Sequence, residues 1–114
     1  MHTDPTDSEM RNRMALDETR FYAIAKALAD PRRLQILERI ALQGECCCSA
    51  ISADIPVAQP TISHHLKELA NAGLIRQRRE GTFTLCQVDA QTLNAYWQEL
   101  RDRLCMNCAE TQTP

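Results

Sequence analysis

Apolar residues recur at helical spacing along most of the chain, and the clearest case runs from Gln59 to Gly73. Ile62, Leu66 and Leu69 stand at positions i, i+4 and i+7, so they share one face of a predicted helix. Gly73 follows where a left-handed helix C-cap is expected. The other face carries short polar or basic side chains, which are suited to reach base edges and phosphates in a DNA major groove. An ordinary solvated helix face is the alternative interpretation.

Two helices are predicted ahead of this one. In the first, Met14, Phe21 and Leu28 are spaced by sevens, which indicates packing either along a helix of a partner subunit or against the chain's own core. The second begins at Asp30-Pro31, with Asp as N-cap and Pro at the first helical position. Its apolar stripe is predicted at Leu34, Leu37 and Ala41, with Ile36 and Ile40 beside it, and Gly44 ends it.

A short helical segment from Ser49 to Ile55 and a turn at Pro56-Val57-Ala58 lead into the helix at Gln59. A short helix, a turn and a second helix with a polar outer face have the order of a helix-turn-helix. Leu74 to Arg79 and Thr82 to Val88 then predict two strands joined at Glu80-Gly81. A basic hairpin directly after such a helix is typical of a wing that reaches phosphates or the minor groove.

The last predicted helix begins at Asp89, and its apolar residues step by four, three and four. This is the spacing of a helix that packs along another helix. We therefore expect a homodimer, which would also place two groove helices about one DNA turn apart. The predicted interface residues are Met14, Phe21, Leu93, Trp97, Leu100 and Leu104.

Composition narrows the class of protein. The 114 residues suffice for one domain, and 44% hydrophobic content with only 4% aromatic residues favours a helical core. We predict an N-terminal disordered arm over residues 1–9, a folded domain over 10–108 and a flexible tail over 109–114. A net charge of −2 argues against a general polyanion binder but not against a local DNA-binding patch. No signal peptide or bilayer-spanning run is recognisable, so we expect a cytoplasmic protein without a membrane partner.

Several stretches together resemble the ArsR/SmtB family of winged helix-turn-helix repressors. Ala27 to Leu37 is similar to that family's helix opening, Gln59 to Ile75 to its recognition helix, and Arg78 to Thr82 to its wing. The resemblance implies a mainly α fold with a small β-hairpin, in the order α-α-α-α-β-β-α, and a dimer through the terminal helices. It also implies a repressor that binds double-stranded operator DNA and releases it when an effector binds. The expected DNA contacts are Gln59, Thr61, Ser63, His64, His65, Lys67, Arg78, Arg79 and Thr82.

Six cysteines in a reducing compartment are better suited to metal binding or redox chemistry than to structural disulfides. Glu45-Cys46-Cys47-Cys48 resembles the element with which arsenite and antimonite repressors of the family bind their ion, and Cys46 and Cys48 stand at the matching positions. Trivalent arsenic and antimony are soft ions that select thiolates. Residues i and i+2 of a regular helix point about 200° apart, so Cys46 and Cys48 converge only if the backbone there is extended or distorts. Cys47 is a candidate third ligand.

A second candidate pair is Cys105 and Cys108, at the end of the last helix, where i and i+3 share one face. The family's zinc sites use histidines on that helix, and none is present here. Cys86, on the second wing strand, is expected to be a small buried hydrophobic residue. The predicted metal ligands are therefore drawn from Cys46, Cys47, Cys48, Cys105 and Cys108.

Two modes of sensing remain open from the sequence. In the first, the thiolates bind As(III), Sb(III) or another soft metal as an effector, with no permanently bound cofactor. In the second, pairs of thiols oxidise to a disulfide or polysulfide bridge, as in another branch of the family. Only three glycines are present, and no phosphate-binding loop or catalytic constellation is recognisable, so we expect no enzymatic activity.

Overall fold

The computed structural model describes residues 16–106, and these fold into five helices and three strands. In chain order the elements are α1 (Glu18–Leu28), α2 (Pro31–Gln43), β1 (Cys46–Cys47), α3 (Cys48–Asp54), α4 (Gln59–Asn71), β2 (Ile75–Glu80), β3 (Phe83–Val88) and α5 (Ala90–Arg103). The predicted hairpin and helices are confirmed, except that the first helix begins only at Glu18, after the Asp17 N-cap, and not at the start of the apolar pattern that includes Met14. The expectations for residues 1–9, Met14, Cys108 and residues 109–114 lie outside the described residues.

Aspartate caps set the starts of three helices. Asp17 accepts a hydrogen bond from the Arg20 backbone N–H at 2.7 Å, and Asp30 accepts one from the Arg32 N–H at 2.8 Å. Asp89 caps α5 through the Thr92 N–H at 3.1 Å. Each carboxylate satisfies a backbone donor that the first helical turn leaves without a partner, so the helix boundaries follow from local sequence.

The core is aliphatic, as the composition predicts. Ile24 of α1, Ile36 and Ile40 of α2, and Ile62 and Leu69 of α4 are almost completely buried. On α2 the predicted stripe is shifted, because Ile36, Leu37 and Ile40 face the core while Leu34 and Ala41 are exposed. The correction amounts to a rotation of the buried face, since both sets of positions have helical spacing.

The sheet has three strands in the order β1-β3-β2, all antiparallel. The hairpin of β2 and β3 runs from the pair Ile75↔Val88 to the pair Glu80↔Phe83, and Gly81 at its tip has φ +63°. β1 was not predicted: Cys46 and Cys47 pair with Cys86 and Leu85, respectively. This third strand attaches the segment before α3 to the wing. None of the helices described between residues 16 and 106 has the length and apolar character needed to span a bilayer.

Candidate nucleic-acid interface and thiol site

Helix α4 presents the polar face that its sequence predicts. Gln59, Thr61, Ser63, His64 and Lys67 are all exposed, whereas Ile62, Leu66 and Leu69 are buried. Pro60 lies in the first turn, where its missing N–H costs no helical hydrogen bond. The exposed set offers amide, hydroxyl, imidazole and ammonium groups on one helix face, which are the groups that contact base edges and phosphates.

His65 does not belong to this exposed face. Its side chain is only 9% exposed, and its Nδ1 atom has no hydrogen-bond partner among the described residues. Burial lowers the pKa of His65, so the imidazole is neutral at pH 7, although the Asp30 carboxylate opposes this shift. The expectation that His65 contacts DNA is therefore corrected: it is a packing residue on the inner side of α4.

The segment Ala72-Gly73-Leu74 joins α4 to the wing through buried positions. Gly73 has φ +83°, and a Cβ at this position would lie 2.1 Å from Arg20 Nη1. Arg20 Nη1 donates a hydrogen bond to the Ala72 carbonyl at 3.3 Å. Leu74 is fully buried, and its carbonyl accepts a hydrogen bond from the Asp89 backbone N–H at 2.8 Å. The end of α4, the start of β2 and the start of α5 are thus held together at one point.

The wing exposes basic and polar side chains. Arg79 and Thr82, near the hairpin tip, are exposed. Arg78 is also half exposed, but its guanidinium lies 3.1 Å from Glu45 Oε2 and 3.3 Å from Glu80 Oε1. Arg79 and Thr82 are therefore available for contact as they stand, whereas Arg78 would first exchange its carboxylate partners.

The three consecutive cysteines span a break between extended and helical backbone. Cys46 lies in β1, Cys47 is the N-cap of α3 with φ −85° and ψ 157°, and Cys48 begins the helix. The 200° separation expected of i and i+2 in a regular helix does not apply here, because the backbone ahead of Cys48 is extended. This resolves the geometric objection to a joint role for Cys46 and Cys48.

Cys47 lies on the other side of the strand. Because side chains alternate along a strand, Cys46 and Cys47 point to opposite faces. Cys46 is 3% exposed, whereas Cys47 is more exposed and its sulfur lies 3.2 Å from Ser49 Oγ. That hydrogen bond, with the Ala50 backbone N–H, lowers the pKa of Cys47. The suggestion that Cys47 joins Cys46 and Cys48 on one ion is therefore not supported by the geometry.

Cys86 is buried as expected, but its neighbours were not foreseen. It pairs directly with Cys46 across β1 and β3, and its thiol interacts with the Cys48 side chain. Burial raises the pKa of Cys86 to about 11, against a hydrogen bond that Gln77 Nε2 donates to its sulfur at 3.6 Å. Burial also raises the pKa of Cys46. The sequence contains no local signal for this cluster, because the pairing joins residues far apart in the chain.

Cys105, beyond the end of α5, is separate from this cluster in sequence and in exposure. Cys105 is exposed and has φ +58°, just after the helix ends, and Cys108 lies outside the described residues. Within residues 16–106 no three His, Cys, Asp or Glu side chains are already arranged to hold a metal ion. Any ion held by the thiols described here therefore requires side-chain rotation.

Helix α5 buries no residue completely within the chain. Trp97 and Leu104 are 52% and 60% exposed, while Leu93 and Leu100 are partly buried. Phe21 differs from its expected role, because it is 5% exposed and covered within the chain by Tyr96, at a ring distance of 5.1 Å, and by the Arg103 guanidinium at 3.9 Å. The prediction of an interface role for Phe21 is corrected to one of intramolecular packing.

Comparison with known proteins identifies relatives of this architecture. A family model described as bacterial regulatory protein, arsR family, matches residues 30–77. The chain is 47% identical over 60 residues to the uncharacterized HTH-type transcriptional regulator MJ1325 of Methanocaldococcus jannaschii, covering 53% of this chain and 67% of that protein. It is 35% identical over 77 residues to the arsenical resistance operon repressor of Staphylococcus xylosus, covering 68% of this chain and 73% of the repressor.

A solved structure matches the fold over nearly the whole chain. The solution structure of a homodimeric winged helix-turn-helix DNA-binding domain from Mycobacterium bovis, a possible ArsR-family regulator, superposes with a TM-score of 0.62 at 28% identity. The match covers 90% of this chain and 89% of that domain. Sequence and fold agree: the chain belongs to the ArsR family of winged helix-turn-helix transcriptional repressors, which are DNA-binding regulators and not enzymes.

Proposed function

We propose that this chain is a homodimeric repressor whose operator affinity falls when its cysteine thiols bind As(III) or Sb(III). The carrying observation is the backbone break at Cys47, which frees Cys46 and Cys48 from the opposed directions of a regular helix. The similarity to an arsenical resistance operon repressor supports the same class of effector. Soft thiolate ligands favour such ions over hard cations.

The DNA-binding surface in this proposal has two parts. The exposed face of α4 supplies Gln59, Thr61, Ser63 and His64 for base edges, and Lys67 for phosphates. The wing supplies Arg79 and Thr82, with Arg78 as a residue that can exchange Glu45 and Glu80 for a phosphate. The protein's net negative charge is compatible with this surface because binding depends on the local basic patch.

The proposed dimer uses the exposed apolar side chains of α5. Trp97 and Leu104 are more than half exposed, and Tyr22 of α1 is 56% exposed. Exposed aromatic residues at a helix surface are typical of protein interfaces. The homodimeric state of the Mycobacterium bovis domain supports this assembly. Two-fold symmetry would present two α4 helices to the two halves of a palindromic operator.

Effector binding is coupled to DNA binding through contacts at the thiol segment. The Cys46-to-Cys48 segment connects β1 to α3, and α3 packs on α4. Glu45, immediately before it, holds Arg78 of the wing. A change of backbone at the cysteines therefore reaches both parts of the DNA-binding surface, which is the requirement for coupling between two sites.

Thiol oxidation is the second candidate function. The observation that favours it is the direct opposition of Cys46 and Cys86 on neighbouring strands, where paired side chains lie about 4.5–5.5 Å apart at Cβ. That separation is close to the range of a disulfide. In this case an oxidant, and not arsenite, would be the signal.

The test is fluorescence anisotropy of the reduced protein on DNA from its own promoter, titrated with arsenite. We expect release near stoichiometric arsenite, and loss of that response in a Cys46→Ser/Cys48→Ser variant that still binds DNA. A matched Cys105→Ser/Cys108→Ser variant should respond like the wild type. DNA binding that is unmoved by arsenite but lost on oxidation would contradict the proposal and favour redox sensing.

A further inference from the structure

Three cysteines lie where β1, α3 and β3 come together. Cys46 and Cys86 are directly opposed on antiparallel strands, and directly opposed residues share a face of the sheet. Both are buried, at 3% and 0% exposure. Cys48, which packs against the core, interacts with the Cys86 thiol from the first residue of α3. The sheet and the helix thus bring together one thiol from each of three elements.

The other cysteine of this segment is excluded by the same geometry. Cys47 points to the opposite face of β1, pairs with Leu85 across the sheet and directs its sulfur to Ser49. Adjacency in sequence is therefore a poor guide to which thiols can share an ion. The cysteine that pairs with Cys46 and interacts with Cys48 is Cys86, 38 positions after Cys48 in the chain.

We propose that Cys86 is the third ligand of a trivalent arsenic or antimony site completed by Cys46 and Cys48. This inference rests on the proposed function and names its ligand set. The three sulfurs are not arranged around an ion in the described residues. The Cys46 sulfur, for example, is turned towards the Cys47 carbonyl at 3.7 Å. Binding would therefore require these side chains to rotate towards a common ion.

The binding reaction balances without an oxidant or a reductant. Arsenite enters as neutral As(OH)₃, three S–As bonds form and three As–O bonds break. Each thiol proton leaves with a hydroxide as water, so three waters are released and arsenic stays trivalent. The product, As(SR)₃, carries no net charge, and no proton is gained or lost by the solution.

This neutrality suits a buried site. Cys46 and Cys86 are buried within the hydrophobic core, where an uncompensated charge would be costly. A divalent cation held by three thiolates would have a net charge of −1 and would displace three thiol protons. The burial of the cluster therefore favours a trivalent thiophilic ion over a divalent one.

Ligation by Cys86 would tie the wing to the helix-turn-helix. Cys86 lies on β3, whose neighbour β2 carries Arg78 and Arg79, while Cys48 begins the helix that packs on α4. A single ion joined to both would fix the wing against α3. The two parts of the DNA-binding surface would then be locked in one relative position.

The test is a variant that keeps only these three thiols, Cys47→Ser/Cys105→Ser/Cys108→Ser, compared with the wild type. Arsenic K-edge X-ray absorption counts the sulfur neighbours, and DNA release by arsenite reports function. We expect one arsenic with three sulfur ligands and wild-type release. A second variant, Cys86→Ala, should lower arsenite affinity by at least about tenfold, the lower end of what loss of even an outer-shell partner costs a metal site. Cys86→Val provides a better-filled replacement if the Ala variant is poorly folded.

The outcomes separate this inference from the proposed function. Suppose that the wild type responds to arsenite but the three-thiol variant shows fewer than three sulfur neighbours or no response. That result would overturn the ligand role of Cys86 and leave the proposed function standing. Full response in Cys86→Ala or Cys86→Val would do the same. A wild type that is not released by arsenite would overturn both. The number of protons released to the buffer on binding tests the neutral product. Arsenite should release about three protons fewer per site than Cd²⁺ does. Equal proton release by the two ions would contradict the neutral product.

Discussion

Arg78 Nη2 lies 3.1 Å from Glu45 Oε2, and this ion pair joins the wing to the residue immediately before the cysteine segment. The Arg78 side chain is 51% exposed and that of Glu45 is 41% exposed. Exposed ion pairs contribute about 0–1 kcal/mol, so the arginine can leave its partner for a phosphate at little cost. In the proposed mode of binding, a DNA phosphate and Glu45 would therefore compete for the Arg78 guanidinium.

Replacing Glu45 should strengthen DNA binding. In Glu45→Gln, Arg78 loses a competing carboxylate and is freer to contact a phosphate. We expect operator affinity to rise several-fold at low salt, and the slope of log K against log salt to steepen by up to about 0.9, the value of one added phosphate contact. Anisotropy titrations over a series of salt concentrations measure both quantities. Glu38→Gln removes the same charge from the exposed side of α2 and serves as the control. Equal effects of the two substitutions would show that only net charge matters.

Lys67 is expected to contact phosphate and not a base. Lys67→Ala should weaken binding to all DNA sequences and reduce the salt slope by about one. His64→Ala, on the same exposed face, should instead change the preference among operator variants. Competition binding with mutated operators distinguishes these two results. A changed sequence preference in Lys67→Ala, with an unaltered salt slope, would contradict the assignment.

Gly73, in the junction after α4, and Gly81, at the hairpin tip, form a matched pair. Their φ angles are +83° and +63°, but a Cβ at Gly73 meets Arg20, whereas a Cβ at Gly81 meets nothing within 4 Å. Gly81→Ala should cost about 1–2 kcal/mol for the positive φ alone. Gly73→Ala should cost about 1 kcal/mol more, because Arg20 must move and lose its hydrogen bond to the Ala72 carbonyl. Denaturant unfolding measures both.

The Arg20 dependence provides the check on that interpretation. In an Arg20→Ala background no side chain has to move, so the two glycine substitutions should cost the same. If Gly73→Ala still lowers the free energy of unfolding by more than the control substitution in this background, a contact other than Arg20 causes the difference.

The reactivity of each cysteine should depend on its burial and hydrogen bonds, and not on whether it is next to another cysteine in the sequence. Hydrogen bonds from Ser49 and the Ala50 N–H lower the pKa of Cys47, whereas burial raises the pKa of Cys46 and raises that of Cys86 to about 11. At pH 7.5 Cys86 should be alkylated at least about a hundredfold more slowly than an ordinary thiol, since only the thiolate reacts. The Cys47 rate should level off as pH rises through its lowered pKa, while that of Cys86 keeps rising towards pH 11.

Timed iodoacetamide labelling with peptide mass spectrometry reads each cysteine separately. Ser49→Ala removes the largest contribution to the lowered pKa of Cys47 and should slow its labelling. Unfolding in urea should make the rates similar. If Cys86 reacts as fast as Cys47 in the folded protein, its burial is not maintained in solution.

Much of this fold is readable from local sequence because its signals are local. Asp30 next to Pro31 marks the start of α2, and helical spacing distinguishes the solvent-exposed face of α4 from its buried face. His65 could have been assigned correctly, since Ile62, His65, Leu66 and Leu69 complete an i, i+3, i+4, i+7 pattern. The polar character of His65 suggests a DNA contact like that of His64, but its position in the helical period predicts its burial better.

The thiol cluster could not be predicted from the sequence, and the reason is physical. A strand of two residues has no periodicity, and β1 exists only because β3 pairs with it. Strand pairing between distant segments depends on tertiary structure and not on local preference. The burial of Phe21 is similar, because it depends on Tyr96 and Arg103 from the far end of the chain.

The buried junction at Leu74 has a mechanical consequence. Its carbonyl receives the first N–H of the α5 cap, its own N–H returns to the Leu69 carbonyl of α4, and its neighbour Ile75 begins the wing. Because these contacts converge on one residue, we expect the recognition helix, the wing and the start of the terminal helix to move together. In a dimer joined through α5, a small change in the angle between the two terminal helices would therefore also change the distance between the two recognition helices.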